Sequence, residues 1–244
     1  MIQIFSNSED LSQAATQIFV KTALEAIDEK GSFYVALTGG NTPVKLYHLL
    51  GSPEYRDIIP WEKVYIFWGD ERWVDLEDER SNAKLAFDSF LDQLPIPKDQ
   101  IFPMWDKDSN PEDFAHHYEQ LLQRSLGIMG IFDLILLGMG EDGHTASLFP
   151  DSPSLHEQAK WVDAYYLESQ EMYRITLTFP TINRAKKLLI MVQGEKKAKT
   201  VYEVLEGQRN PDKYPAQLIQ PLKGDVLWLV DQEAASKLSS TTPL

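Results

Sequence analysis

The sequence of 244 residues contains no cysteine. Disulfide bonds, thiolate nucleophiles and cysteine-ligated metal sites are therefore excluded. It also lacks an apolar run of about 18 residues, the length that a membrane-spanning helix requires. Residues 1–10 show neither the charged start nor the apolar run of a signal peptide. We therefore expect a cytoplasmic protein that does not associate with membranes.

Positive charge is scarce as well. The chain has 23 Lys and Arg residues against 37 Asp and Glu residues, which gives a formal net charge of −14 at pH 7. A surface this acidic repels nucleic acids and anionic membranes, so neither is expected as a partner. It also repels phosphate groups. A site for a phosphorylated ligand therefore needs basic side chains and backbone N–H donors gathered in one place.

The hydrophobic pattern predicts an α/β fold, because short apolar runs with strand character alternate with amphipathic segments. This alternation is typical of a mostly parallel, Rossmann-like sheet with helices on both faces, and we expect a single domain over residues 1–244. The predicted strands are 33–37, 64–68, 133–137, 161–165, 174–179, 188–192 and 226–230. The predicted helices run from Ser8 to near Gly31, from Pro43 to Leu50, from 81–82 to about 91, over 111–126, over about 195–205 and after Val230, with a frayed end at 239–244.

Three polar segments that contain glycine directly follow predicted strands: residues 38–43 (TGGNTP), 69–72 (GDER) and 138–150 (GMGEDGHTASLFP). In open α/β sheets, ligands bind at the carboxyl ends of the strands, so we expect the three segments to converge. In the first, glycines and a helix N-terminus favour binding of an anion. The alternative is an ordinary turn in which Thr42 caps the helix. The second segment is either part of the site or solvated surface.

The third segment contains G-x-G-x-x-G, the pattern of dinucleotide-binding loops, with Asp163 about 20 residues further on. We reject that interpretation because Pro150 and Pro153 leave no room for the long helix that normally follows, and because His144 would crowd a pyrophosphate. The motif also lies late in the chain. His144 is instead the candidate general base, since imidazole titrates near neutral pH. Surface or packing roles are expected for the other histidines, which are His48, His116, His117 and His156.

Several common catalytic motifs are missing. The sequence has no G-x-S-x-G, no G-x-x-x-x-G-K-[ST], no H-E-x-x-H and no His/acid cluster with metal-ligand spacing. A histidine base, nearby acids, an arginine and an anion loop remain. This set suits the metal-free addition of water to a small anionic substrate.

Five parts of the sequence carry a recognisable pattern: residues 138–150, 70–72 with 81–82, 38–43, 174–178 with 182–183, and 194–198 (GEKKA). Together they resemble the 6-phosphogluconolactonase family, which is related to glucosamine-6-phosphate deaminases. The resemblance covers nearly the whole chain. Asn41 stands where serine is more usual. The segments 38–43 and 194–198 are shared with the deaminases, whereas the HTASLFP stretch separates the lactonases from them.

The resemblance implies hydrolysis of 6-phosphoglucono-δ-lactone to 6-phosphogluconate in the oxidative pentose phosphate pathway, without a metal or cofactor. His144 would be the general base, Asp70 would orient the histidine or the substrate, and Arg72 would bind substrate and stabilise negative charge. Two of the residues that the resemblance assigns to phosphate binding have an alternative role. Lys197 could lie at a solvated helix start, and Arg174 could be structural. Family members are often monomeric, so we expect a monomer. The residues implied to bind the substrate phosphate are Gly39, Gly40, Asn41, Thr42, Arg174 and Lys197.

Two other functions are weighed against this one. An isomerase or deaminase of an amino-sugar phosphate would use a carboxylate such as Asp70 to move protons between adjacent carbons, but the HTASLFP stretch argues against it. A sugar-phosphate sensor without catalysis would normally carry a DNA-binding or partner module. The chain has neither a basic patch nor spare length for one.

Overall fold

The computed structural model describes residues 1–239, so the predicted fraying of 239–244 falls, beyond Ser239, outside the described residues. This range contains nine strands and six α-helices, and a helix lies between most consecutive strands, as the sequence pattern predicts. They are β1 (Ile2–Phe5), α1 (Ser8–Lys30), β2 (Phe33–Leu37), α2 (Val44–Gly51), β3 (Val64–Trp68), β4 (Asp70–Arg72), α3 (Asn82–Ser89), α4 (Pro111–Leu126), β5 (Leu134–Gly138), β6 (Val162–Leu167), β7 (Met172–Leu177), α5 (Phe179–Ile182), β8 (Lys187–Val192), α6 (Ala198–Leu205) and β9 (Asp225–Asp231).

The larger sheet has six strands in the order β1-β9-β8-β5-β2-β3, and every neighbouring pair is parallel. Its central strands β5 and β8 are apolar runs buried almost throughout, as expected for strands of a parallel sheet flanked by helices. The predicted α/β class with a mostly parallel sheet is therefore confirmed. Within residues 1–239, no helix combines the length and the apolar character that a bilayer crossing requires.

A smaller antiparallel sheet, in the order β4-β7-β6, includes residues 70–72, for which no strand was predicted. Residues 70–72 pair with β7, and Gly69 joins the two sheets. The Gly69 N–H donates to Leu37 O at 2.8 Å, and Gly69 O accepts from the Leu177 N–H at 2.8 Å. Asp70 and Arg72 are thereby fixed on a strand at the end of the larger sheet.

Three of the six α-helices in residues 1–239, α1, α3 and α4, directly follow a residue whose side chain caps the helix. The Asn7 side chain accepts from the N–H groups of Glu9 and Asp10 at the start of α1, and Gly31 ends that helix with φ 81°. Asn110 caps α4, which spans the predicted 111–126. Two predictions are wrong. Pro43, without a side-chain cap bond, precedes α2 in place of a Thr42 cap, and residues 232–237 form turns instead of a helix.

Candidate active site

A cavity of about 240 Å³ opens where the parallel strands of the larger sheet end, here called the carboxyl edge. All three polar segments reach it, because each follows a strand that ends there. Lys197, on the short 3-10 turn before α6, also lines the cavity. The lining residues are Thr38, Gly39, Gly40, Asn41, Thr42, Asp70, Arg72, Asn82, Gly138, Met139, Gly140, His144, Ala146 and Lys197.

His144 lies in a tight turn that fixes its imidazole. The Gly140 N–H donates to His144 O at 2.9 Å, and a side chain at Gly140 would come within 2.2 Å of the ring. The ring stacks on Phe149 with centroids 3.9 Å apart. Its Nδ1 lies 2.5 Å from Oδ1 of Asp142, while Nε2 makes no hydrogen bond to any residue in 1–239. A ring held in this way presents one free nitrogen for proton transfer.

Asp142 is therefore the carboxylate that orients His144. The sequence alone did not indicate which carboxylate has this role. Burial opposes ionisation of Asp142, but the hydrogen bond and the charge of His144 outweigh it and lower the pKa of the carboxyl. Gly143, with φ 83°, permits the turn that brings the two side chains together. Asp142 stays ionised at neutral pH and can stabilise a positive charge on the ring.

Asp70 is held by Ser147, a buried residue of the segment 138–150. The Ser147 Oγ–H donates to Asp70 Oδ2 at 2.6 Å, with both residues buried. Ser147 is itself fixed, because its N–H donates to Thr176 Oγ1 at 3.2 Å and its carbonyl accepts from the Tyr165 hydroxyl at 2.8 Å. Asp70 and Ser147 are 77 residues apart in sequence, so no local signal indicates this bond.

Two arginines lie directly opposite each other on β4 and β7. Arg72 lines the cavity and donates from Nη1 to Arg80 O at 2.7 Å. Arg174 does not line the cavity, contrary to its predicted place in the phosphate site. It is 4% exposed, because its guanidinium lies over the Phe149 ring and contacts Gln170. Burial lowers the pKa of Arg174, and the charge of Asp70 opposes that shift.

The segment 38–43 offers several free donors to the cavity. Within the described part of the chain, the backbone N–H groups of residues 39–42 make no hydrogen bond. Gly40 adopts φ 79°, which favours glycine. The Tyr47 hydroxyl anchors the start of the segment through Thr38, accepting from its N–H at 3.1 Å and donating to its carbonyl at 2.6 Å. Free N–H groups on a fixed turn are the elements of an anion site.

Lys197 lines the same cavity as these donors, but it follows β8, which β5 separates from β2 in the larger sheet. Its ammonium makes neither an ion pair nor a hydrogen bond with residues 1–239. Burial lowers the pKa of Lys197, against the charges of Glu141 and Asp231. Asp231 also holds the turn, since both its carboxylate oxygens accept from the Gly194 N–H at 3.1 Å. A half-buried cation without a partner is costly and is relieved when an anion binds.

The described residues contain no group of three or more His, Asp and Glu side chains arranged to hold a metal ion. The cavity instead brings residues 39–42 and Lys197, which have the elements of an anion site, beside the His144–Asp142 pair and Arg72. This arrangement can hold a small phosphorylated molecule at one end while a base acts on the other.

Comparisons with known proteins agree with this geometry. The family described as glucosamine-6-phosphate isomerases/6-phosphogluconolactonase matches residues 6–228. A 6-phosphogluconolactonase of Synechocystis sp. is 39% identical over 241 residues, which cover 97% of this chain and 98% of that protein. A probable chloroplastic 6-phosphogluconolactonase 3 of Oryza sativa subsp. japonica is 37% identical, with 97% of this chain and 76% of that protein covered.

Solved structures give the same result. A 6-phosphogluconolactonase of Trypanosoma brucei superposes with a TM-score of 0.85 at 26% identity, covering 98% of each chain. A monomeric glucosamine-6-phosphate deaminase superposes with a TM-score of 0.82 at 25% identity, covering 96% of this chain and 98% of that one. The fold is therefore common to proteins named for two different reactions, and the residues of the cavity must distinguish between them.

Proposed function

This chain belongs to the family of glucosamine-6-phosphate isomerases and 6-phosphogluconolactonases, and we propose that it hydrolyses 6-phosphoglucono-δ-lactone to 6-phosphogluconate by general-base activation of water. Its curated relatives and several solved neighbours are 6-phosphogluconolactonases, so the chain is a hydrolase of that kind. The observation that carries the proposed mechanism is the His144–Asp142 pair, which shares one cavity with an anion site.

The substrate phosphate binds at the anion site. The N–H groups of residues 39–42 donate to its oxygens, and Lys197 supplies positive charge. Lys197 has no partner among residues 1–239 and gains one when the phosphate arrives. Binding at this remote group helps to align the lactone ring with the catalytic side chains.

Hydrolysis then needs one base. His144 Nε2 takes a proton from water as the water oxygen bonds to the lactone carbonyl carbon, and Asp142 stabilises the resulting imidazolium. Arg72 stabilises the charge on the tetrahedral intermediate. When the ring C–O bond breaks, the imidazolium returns its proton to the departing oxygen, and the new carboxylic acid releases a proton. A lactone is an activated ester, so a base worth about 10²–10⁴-fold is sufficient and a covalent nucleophile is unnecessary.

For Asp70 and Arg174 we choose between the roles that the sequence left open. Asp70 lines the cavity with one oxygen bound by Ser147, and we assign it to a substrate hydroxyl instead of to His144. Arg174 contacts Phe149, the ring on which His144 stacks, so we assign it to positioning that ring.

The rival reaction is isomerisation and deamination of an amino-sugar phosphate, since a deaminase shares the fold. That chemistry needs a carboxylate that accepts and returns protons. Asp70 suits it less well, because Ser147 occupies one of its oxygens and Arg72 and Arg174 lie close by on paired strands.

The test compares two substrates on the same protein. Proton release is followed in weak buffer with 6-phosphoglucono-δ-lactone generated in situ, and spontaneous opening is subtracted. Ammonia release is followed with glucosamine 6-phosphate. We expect acceleration of the first reaction only. Ammonia release without lactone hydrolysis would replace the proposed function with the rival one, and binding without either reaction would indicate a sensor.

We also propose that residues 1–244 act as one domain, because the cavity draws its lining from segments between Thr38 and Lys197. A monomeric state, a cytoplasmic location and the absence of nucleic-acid partners stay predictions from the sequence.

A further inference from the structure

Glu71 is a buried carboxylate that the mechanism above does not use. It lies between Asp70 and Arg72 on β4, is 0% exposed and does not line the cavity. Its four hydrogen bonds all come from β4 itself and from the start of α3. Oε1 accepts from the N–H groups of Arg72 at 2.8 Å and Asn82 at 2.7 Å, and Oε2 accepts from the Ala83 N–H at 2.7 Å and the Ser81 hydroxyl at 3.2 Å.

The first residue of α3 continues this connection to the anion site. Asn82 donates from Nδ2 to Asp70 O at 2.9 Å. Its Oδ1 is buried without a hydrogen-bond partner in the described residues and lies against Gly39, where an added Cβ would come within 1.7 Å. The start of α3 therefore contacts both the strand that carries Asp70 and the segment that carries the free N–H donors.

We propose that Glu71 is a positioning residue for the reaction. By fixing the start of α3 against β4, it sets the distance between the anion site and the pair Asp70 and Arg72. The inference rests on the proposed function, because it assumes that one substrate contacts both groups.

Glu71 helps to cap α3, because it accepts from the Asn82 and Ala83 N–H groups while Ser81 accepts from the Lys84 N–H at 3.1 Å. Burying a carboxylate is a costly way to complete a cap, so its use here needs a further reason. The position of Glu71 directly between two cavity residues supplies that reason. A misplacement of about 1 Å can lower a rate by 10²-fold when it separates reacting groups.

The test uses Glu71→Gln with a matched control. A glutamine amide keeps one acceptor and points an NH₂ group at N–H donors, so the four bonds cannot all persist. Asp133→Asn is the control, because Asp133 is also buried and tied to distant groups, accepting from the Tyr34 N–H at 2.9 Å and pairing with Lys30 at 2.8 Å. It lies where the strands of the larger sheet begin, here called the amino edge.

For each variant we would measure kcat and KM for the lactone, the Kd for 6-phosphogluconate by calorimetry and unfolding in urea. Both variants should lose stability. Only Glu71→Gln should lose kcat, by about 10- to 100-fold, with KM and Kd nearly unchanged, because the phosphate still binds while the lactone is misaligned. A purely structural role would lower stability without this separation of kcat from KM.

A second comparison covers the case in which Glu71→Gln does not fold. Gly39→Ala should push the anion segment away from Asn82 and lower kcat, and adding Asn82→Ala should restore part of the loss by making room. If the wild type is active and Glu71→Gln keeps the wild-type kcat, or if Asp133→Asn loses as much kcat as Glu71→Gln, this inference is overturned while the proposed function stands. The absence of any such restoration in the Gly39 pair would also count against this inference. A wild type without lactonase activity would overturn the proposed function and this inference with it.

Discussion

At the amino edge of the six-stranded sheet, ionised side chains are paired. Buried Asp133 lies 2.8 Å from Lys30 and 3.6 Å from Lys186, and Lys186 also reaches Glu29 at 2.8 Å. At the carboxyl edge the opposite holds. Within residues 1–239, the Lys197 ammonium has neither an ion-pair nor a hydrogen-bond partner. Nε of Arg72, Nε of Arg174, Oδ1 of Asn82 and the backbone N–H groups of residues 39–42 also make no hydrogen bond there.

The difference shows how one sheet separates stability from function. Buried polar groups without partners cost free energy, and pairing removes that cost. The amino edge connects α1, β2, β5 and β8 through paired charges and so contributes to stability. The carboxyl edge keeps unsatisfied donors that face the cavity on residues 39–42, Arg72 and Lys197, and a bound anion can pair with them. Changes at the two edges should therefore affect different measurements.

Apart from the loss of His144 itself, the largest effect is expected from Asp142→Asn at the carboxyl edge. The neutral amide no longer stabilises the imidazolium of His144, so kcat should fall by about 10²-fold. Stability should change little, because the Asp142 side chain is 46% exposed. Lactone kinetics and urea unfolding measure the two quantities. Asp163→Asn, which removes a carboxylate bound to Ser154 and Lys160 outside the cavity, should leave kcat as it is. An unchanged kcat in Asp142→Asn would remove this residue from the mechanism.

The amino edge should respond in the opposite way. Asp133→Ala leaves the Tyr34 N–H and two lysines without their acceptor, so the free energy of unfolding should fall by about 2 kcal/mol. The kcat of the remaining folded protein should equal that of the wild type. Glu29→Ala, which removes only an exposed partner of Lys186, is the control and should have a small effect on unfolding. A loss of kcat in Asp133→Ala would mean that the two edges are not independent.

A pair of lysine variants compares the edges directly. Lys197→Ala should weaken binding of 6-phosphogluconate by about tenfold, because a charge-assisted contact to the phosphate is lost. It should not lower stability, since Lys197 has no ion partner in the described chain. Lys186→Ala should do the reverse and lower stability without changing affinity. Calorimetry and urea unfolding distinguish the cases, and equal affinities for the two variants would contradict the assignment of Lys197 to the phosphate.

The smallest expected effect depends on pH. Burial, with a smaller contribution from the charge of Asp70, raises the pKa of Glu71 from 4.5 to about 7, against the backbone N–H donors that favour the ionised form. A carboxyl with a raised pKa contributes stability that is present below its unfolded pKa and is lost as the pH rises through its folded value. The difference in unfolding free energy between wild type and Glu71→Gln should therefore decrease from about pH 5 to about pH 8. A difference that does not vary with pH would contradict the raised pKa.

Local sequence signals predicted most of the fold. Asn110 and Pro111 indicated the start of α4, and the apolar runs indicated β2, β3, β5 and β8, because these signals lie within the element itself. The strands β1 and β4 were missed. A strand of three or four residues is too short to show the alternation of apolar and polar residues that identifies a strand. In addition, β4 forms only because β7 supplies its partner about 100 residues later in the chain.

The site was predicted as a set of segments, but not as a set of contacts. The rule that ligands bind at strand ends placed His144, Asp70 and Arg72 at one cavity. The contact between His144 and Asp142 depends on how the side chains point within a turn, and the contact between Asp70 and Ser147 joins residues that are 77 positions apart. Residue spacing in the sequence reveals neither contact. The choice between phosphate binding and a structural role for Arg174 could not be made from sequence for the same reason, because the direction of its side chain is set by Phe149 and Gln170.

The most direct test of lactone hydrolysis by His144 is the rate of proton release from 6-phosphoglucono-δ-lactone, with wild type, His144→Ala and His116→Ala measured side by side. His116 lies on α4, away from the cavity. We expect a fast wild type, an equally fast His116→Ala, and a His144→Ala slowed by about 10²–10⁴-fold with its affinity for 6-phosphogluconate retained. A folded His144→Ala that hydrolyses the lactone at the wild-type rate would contradict the account.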